Sequence, residues 1–155
     1  SRSSAASDVY KRQILEYREM SGMHITYKSD GRDMLKMIKD GWMIGLIMDQ
    51  DPSLKYGIIL DFFGRKTNCV TGPATLARIQ NAPIFPGQIQ HRPDGGHHIT
   101  IFPPIYVERT KDKQEDIRRT MQQLLNILEQ QIRNHPEDWF WLHDRWKSVR
   151  SIGLD

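Results

Sequence analysis

An α/β fold, with helices flanking a mixed sheet, is predicted by three features of the chain. Met43 to Met48 is a continuous apolar run, the pattern of a strand buried on both faces. Apolar residues recur at helical spacing in several segments, most clearly Ile117, Met121, Leu124, Leu125, Leu128 and Ile132. Turn residues separate these segments from short alternating ones, so helices and strands follow one another along the chain.

In chain order, Ile14 to Met20 reads as the end of a helix stopped by Ser21-Gly22, and Met23 to Lys28 alternates as a short strand does. Asp30 can cap a helix over Arg32 to Asp40, whose apolar face is Met34, Leu35, Met37 and Ile38 and whose stop is Gly41. The buried strand Met43 to Met48 follows and is broken by Asp49-Gln50-Asp51-Pro52. Gly57 to Phe63 reads as a further strand closed by Gly64.

Thr71 suits an N-cap and Pro73 a first turn, ahead of a helix through Ala74, Leu76, Ala77 and Ile79 that Asn81 and Pro83 stop. Ile84 to Gln90 and His97 to Phe102 are two strands of a hairpin, joined by Pro93-Asp94-Gly95-Gly96. Asp112 and Glu115 have the spacing of a capping box before the long amphipathic helix. A second short helix after Pro136 would put Trp139, Leu142, His143 and Trp146 on one face.

Length and an apolar fraction of 38% fit one globular domain with a substantial core. A single cysteine, Cys69, excludes an intramolecular disulfide framework. No cysteine or histidine cluster stands at ligand spacing, and His97 and His98 point to opposite faces of a strand, so no metal site is expected. The most apolar run, Trp42 to Met48, is far shorter than the roughly 20 residues a membrane-spanning helix needs.

The first 13 residues form a distinct expectation. Ser3 to Gln13, SSAASDVYKRQ, reads as the in-frame translation of a transposase-based sequencing adapter, so residues 1–13 are taken as artefactual. They carry Arg2, Lys11, Arg12 and Asp8. Without them Lys+Arg falls from 22 to 19 and Asp+Glu from 19 to 18, and the formal charge falls from +3 to +1. Such a balance argues for no nucleic-acid partner.

Several residues could carry chemistry. Asp49, Gln50 and Asp51 follow a buried strand, where open α/β sheets tend to place ligands, although spacing alone favours a solvated turn. Arg18, at the end of the first helix, is on its own most simply an exposed helix arginine. Arg65 and Lys66 follow two aromatics and Gly64, as a solvated turn after a core strand would. The tryptophan stripe favours packing over a lipid-facing anchor, in which Arg145, Lys147 and Arg150 would meet anionic head groups. Thr71-Gly72-Pro73 opens a helix and could bind an anion, but ordinary capping explains it equally.

Three blocks carry a family resemblance: GLIMDQDPSLKYGIILDFFGR (Gly45 to Arg65), TGPATLARIQNAPIFPG (Thr71 to Gly87) and DWFWLHDRWK (Asp138 to Lys147). From about Tyr17 to Lys147 the chain resembles the C-terminal half of the bacterial lipid A biosynthesis acyltransferases, of the lysophospholipid acyltransferase superfamily. It is similar to the late, Kdo-dependent lauroyl or myristoyl transferases. The resemblance implies that residues 14–150 are the C-terminal part of one acyltransferase domain. It implies transfer of a fatty acyl chain from an acyl carrier protein thioester to a lipid A precursor hydroxyl, without a cofactor, at the cytoplasmic face of the inner membrane.

By the same resemblance Asp49 and Gln50, with Asp51, line the site, fixing a neighbouring basic group or the glucosamine acceptor. Arg18 would stabilise an oxyanion or bind a phosphate, and Arg65 and Lys66 would contact an anionic head group or the carrier protein. One element of the family pattern is missing. The catalytic motif is His-x4-Asp/Glu, and after His24, His91, His97, His98, His135 and His143 stand Ser29, Gly96, Phe102, Pro103, Phe140 and Ser148. The expectation is therefore a C-terminal fragment without catalytic activity of its own. A glycerophospholipid acyltransferase of the same superfamily and a non-catalytic module for lipid or carrier protein are the alternatives.

Overall fold

Helix spacing and capping chemistry account for most of the regular structure. A computed structural model describes residues 2–26 and 30–154, apart from the side chains of residues 2–8 and 11. Helix α1 (Arg2–Met20) ends at Ser21-Gly22, with Gly22 in the left-handed region at φ 79°. The strand expected over Met23 to Lys28 lies partly outside the described residues, and residues 23–26 form no strand. Helix α2 (Gly31–Lys39) starts where Asp30 accepts a hydrogen bond from the Asp33 N–H at 3.1 Å. It buries Met34 and Met37.

The α/β class holds, with strands gathered into two antiparallel hairpins. The first pairs β1 (Gly57–Phe62) with β2 (Arg65–Val70), Phe62 opposite Arg65. Its turn is Phe63-Gly64, and both residues have positive φ, 54° and 73°. That is the primed two-residue turn whose twist suits a hairpin. A phenylalanine there is costly on its own. The cost is offset by a hydrogen bond from the Phe63 N–H to Glu129 at 2.7 Å and by the Arg133 guanidinium, 4.7 Å from the centre of its ring. The hairpin corrects the sequence reading, in which Gly64 closed the sheet and Arg65 and Lys66 lay in a turn.

Helix α3 (Gly72–Gln80) ends at Asn81 in the left-handed conformation. The Thr71 side chain makes no cap bond. The second hairpin pairs β3 (Gly87–His91) with β4 (His97–Ile101), His91 opposite His97. Asp94 closes its turn by accepting from the Gly96 N–H at 3.1 Å. Ile84 and Ile105 exchange backbone hydrogen bonds of 2.8 Å just outside it.

Helix α4 (Lys113–Asn134) organises the core. The Asp112 carboxylate accepts from the Gln114 and Glu115 N–H groups. Ile117, Met121, Leu124, Leu125 and Ile132 pack against Leu60, Phe62, Cys69, Ala74, Ala77, Ile105 and Val107. Gln122 also covers the outer edge of β1. Its amide accepts from the Asp61 N–H at 2.9 Å and donates to the Asp61 carbonyl at 2.8 Å, as a neighbouring strand would.

Two expected elements do not form. Residues 42–49 are in no helix or strand, and Met43 and Ile47 are 88% and 81% exposed, so the strand buried on both faces is absent. An apolar run favours burial, but a strand exists only through hydrogen bonds to a neighbour's backbone. No described segment runs alongside this one. After a 3₁₀ turn at Pro136–Asp138 the tryptophans lie on irregular chain, followed by the single-turn helix α5 (Lys147–Arg150), so they share no helix face. Trp139 and Trp146 instead pack on Phe62, with ring centres 6.3 and 6.0 Å away. Leu142 points to solvent.

The buried Asp116 carboxylate ties α4 to α3 and to the chain before it. Burial pushes its pKa up, but hydrogen bonds from the Thr110 hydroxyl (2.7 Å), Arg78 Nε (2.9 Å) and the Thr110 N–H (2.9 Å) hold it below its ordinary value of 3.8. A depressed folded-state pKa means that Asp116 contributes stability above its ordinary value and loses it as pH falls through the folded value. Denaturant melts of the wild type and Asp116→Asn below pH 4 should therefore converge as the wild type loses this contribution. At neutral pH, Met121→Ala should cost about 2–5 kcal/mol of unfolding free energy, and Gln123→Ala, on the exposed face, under about 0.5 kcal/mol.

Candidate functional site

The Asp49-Gln50-Asp51-Pro52 loop is held by the closing segment of the chain. Both carboxylate oxygens of Asp51 accept from Ser148, one from its backbone N–H at 2.7 Å and one from its hydroxyl at 2.6 Å. The Asp51 N–H donates to Nε2 of His143 at 3.0 Å, which places the ring proton on Nδ1. From the other side, Asn68 Nδ2 of β2 donates to the Pro52 carbonyl at 2.8 Å. Asn68 reaches that carbonyl across Gly57, where a β-carbon would stand 1.9 Å from the Asn68 side-chain oxygen. Only glycine leaves that space.

Beneath the loop lies Arg145, 1% exposed. It donates to the Asn68 carbonyl at 2.6 Å, and its own carbonyl accepts from the Thr67 hydroxyl at 3.3 Å. The Phe62 ring lies below the guanidinium, 5.6 Å away. Burial lowers the Arg145 pKa, while the charges of Asp51 and Asp49 act in the opposite direction and favour the cation. Burial likewise pushes the Cys69 thiol up, so it is no thiolate nucleophile at neutral pH. Nε and one terminal nitrogen of Arg145, and one oxygen of Asp49, are buried without a hydrogen-bond partner.

Asp49 also lines an apolar groove of about 860 Å³. Residues 42–48 form one wall, Phe85 and Ile89 another, and Leu124 and Leu128 of α4 lie against it with Trp139. Gln50 is exposed beside Asp49. Arg18 is exposed in the last turn of α1, and among the described residues no hydrogen bond or ion pair joins it to Asp49, Gln50 or Asp51. Arg65 stacks on Trp146 at 4.9 Å, and Lys66 pairs with Asp61 at 2.7 Å, both on β2 away from the loop.

Sequence reasoning missed Arg145 and Ser148 as partners of the acidic loop. Arg145, which the lipid-facing alternative would expose with Lys147 and Arg150, is buried. Arg150 ion-pairs with Asp144 at the surface. Arg145 stands between Asp144 and Trp146, and nothing in that local pattern marks it for burial.

The family described as bacterial lipid A biosynthesis acyltransferase matches residues 2–148. The chain belongs to this family. It is similar to a phosphatidylinositol mannoside acyltransferase of Mycolicibacterium smegmatis, 26% identical over 140 residues, which are 87% of this chain and 44% of that protein. It is similar to the lipid A biosynthesis lauroyltransferase of Escherichia coli K12, 26% identical over 123 residues, 78% of this chain and 39% of the relative. A phosphatidylinositol mannoside acyltransferase of Mycobacterium tuberculosis H37Rv is 26% identical over 143 residues, 89% of this chain and 43% of the relative. The chain thus spans less than half the length of the curated relatives it matches. Among the described residues, no helix of this family member is long and apolar enough to cross a membrane.

The bonds around Asp51 predict a measurable hierarchy. Arg145→Met should destabilise the protein by about 3–5 kcal/mol, because it strips a buried polar cluster of its cation. Ser148→Ala should cost about 1.5–3 kcal/mol. It should also speed amide exchange in residues 49–52 without affecting α4, which hydrogen exchange resolved by mass spectrometry would show.

Proposed function

We propose that this chain lines the acyl groove and holds the acidic loop of an acyltransferase, one that moves a fatty acyl chain from an acyl carrier protein thioester to a lipid A precursor hydroxyl. The observation that carries the reading is Asp49 in the lining of an apolar groove, in a chain matched to this family over residues 2–148. A hydrocarbon chain suits such a groove, and a hydroxylated sugar suits a carboxylate in its lining. Asp49 and Gln50 would meet the acceptor. Asp51, its oxygens taken by Ser148, would hold the loop in place.

In the reaction the acceptor alkoxide attacks the thioester carbonyl, and the carrier thiol leaves. A cation is needed near the oxyanion, and we assign that role to Arg18, with phosphate binding as the other use of its fixed charge. Arg65 and Lys66, exposed at the end of the first hairpin, are assigned to the acidic surface of the carrier protein or to an anionic head group. The general base and its acidic partner are not among this chain's six histidines, so no proton transfer is assigned to its residues. The reaction would run at the cytoplasmic face of the inner membrane.

A second acceptor is favoured by the similarity to phosphatidylinositol mannoside acyltransferases, namely a mannosylated phosphatidylinositol. The two readings share acyl transfer and differ in acceptor. The test is a chimera of the E. coli lauroyltransferase in which residues 17–147 of this chain replace the matched segment. Given acyl carrier protein thioester, the chimera should acylate a lipid A precursor, and the chain alone should do no better than a protein-free control. Acylation only of the mannosylated lipid would support the second reading. A folded chimera inactive on both acceptors would overturn the proposal.

A further inference from the structure

We propose that His91, His135, Glu137 and Asp138 form a binding site for a divalent transition metal, Zn²⁺ by its donor set, that clips the β3–β4 hairpin to the C-terminal end of α4. The donors come from two distant parts of the chain. His135 follows the last residue of α4, Glu137 and Asp138 lie in the 3₁₀ turn after it, and His91 ends β3. The site lies apart from the Asp49 loop and does not depend on the acyltransferase reading.

Geometry carries the assignment. His135, Glu137 and Asp138 each offer a ligand atom, and these atoms all lie within 4.8 Å of one another. Nδ1 of His135 stands 3.4 Å from a Glu137 carboxylate oxygen, and Nδ1 of His91 stands 3.1 Å from Asp138 Oδ1. In a tetrahedral zinc site with bonds of about 2.0–2.2 Å, neighbouring ligand atoms are separated by about 3.3–3.6 Å. Each imidazole–carboxylate pair therefore already approximates one edge of that tetrahedron. The two edges are linked through Asp138, whose carboxylate lies within 4.8 Å of the ligand atoms of His135 and Glu137.

The donor chemistry selects the ion. Two imidazoles with two carboxylates suit zinc, whereas Mg²⁺ and Ca²⁺ take oxygen ligands. Hydrogen bonding joins each pair, Asp138 accepting from the ring and the backbone N–H of His91 and Glu137 facing the His135 ring, and the two pairs meet where the ligand atoms of His135, Glu137 and Asp138 converge. The sequence showed no metal site because His91 and Asp138 are 47 residues apart and only the fold makes them neighbours.

The test uses the intact, tag-free chain, Zn²⁺ in calorimetry and Co²⁺ in absorption spectroscopy. One Zn²⁺ should bind per chain, and Co²⁺ should show the intense visible bands of a tetrahedral site. His91→Ala and His135→Ala should each weaken binding at least about tenfold. His98→Ala, on the other face of β4, should leave binding unchanged. His135 bonds Glu137 at the surface, so its loss spares the core, and Zn²⁺ should raise the Tm of the wild type but not of His135→Ala. Absence of binding, an octahedral Co²⁺ spectrum, or an affinity untouched by either variant would overturn the proposal.

Discussion

The apolar face of α4 is the constraint on which the other elements depend. A 22-residue helix with Ile117, Met121, Leu124, Leu125 and Ile132 on one side is stable only if that side is covered. The β1–β2 hairpin, α3 and the strap around Ile105 and Val107 provide the cover. None of these has a core of its own, since an isolated two-stranded hairpin is marginal at best. The helix also supplies polar anchors, Gln122 to the edge of β1 and Glu129 to the strained turn at Phe63. One element thus sets both the burial and the register of the first hairpin.

Beside this core the arrangement becomes polar. Phe62 separates the two environments, with its ring in the core and the Arg145 guanidinium on one side of it. Arg145, Asn68 and Ser148 convert an acidic loop that would otherwise be solvated into a fixed one, with Asp49 facing the groove. The nearby negative charges of Asp51 and Asp49 favour the buried cation. Membership of the acyltransferase family gives this rigidity a use, because acyl transfer depends on holding two reactants in a fixed relation.

Legibility in the sequence followed the range of the interactions. Helices α2 and α4 were readable because Asp30 and Asp112 act on residues two or three positions away and the apolar stripes repeat within a few turns. The turn of the second hairpin was readable for the same reason, through Asp94 and Gly95. The first hairpin turn was not, since a phenylalanine at positive φ is favoured by nothing nearby and is held by Glu129 and Arg133 from α4. The tryptophan segment had helical spacing without a helix, because Phe62 draws Trp139 and Trp146 onto one ring from irregular backbone.

By itself the sequence determined the α/β class, helices α2 and α4 with their caps, the family, the absence of a His-x4-Asp/Glu motif and the acidic loop as the place to look. Only the tertiary structure decided that Met43 to Met48 is unpaired, that Arg145 is buried under that loop, that Ser148 takes up Asp51, and that His91 meets Asp138. The physical reason is separation along the chain. Caps, turns and stripes are short-range and leave a periodic trace, whereas the bonds between Asp51 and Ser148 join residues 97 positions apart and leave none.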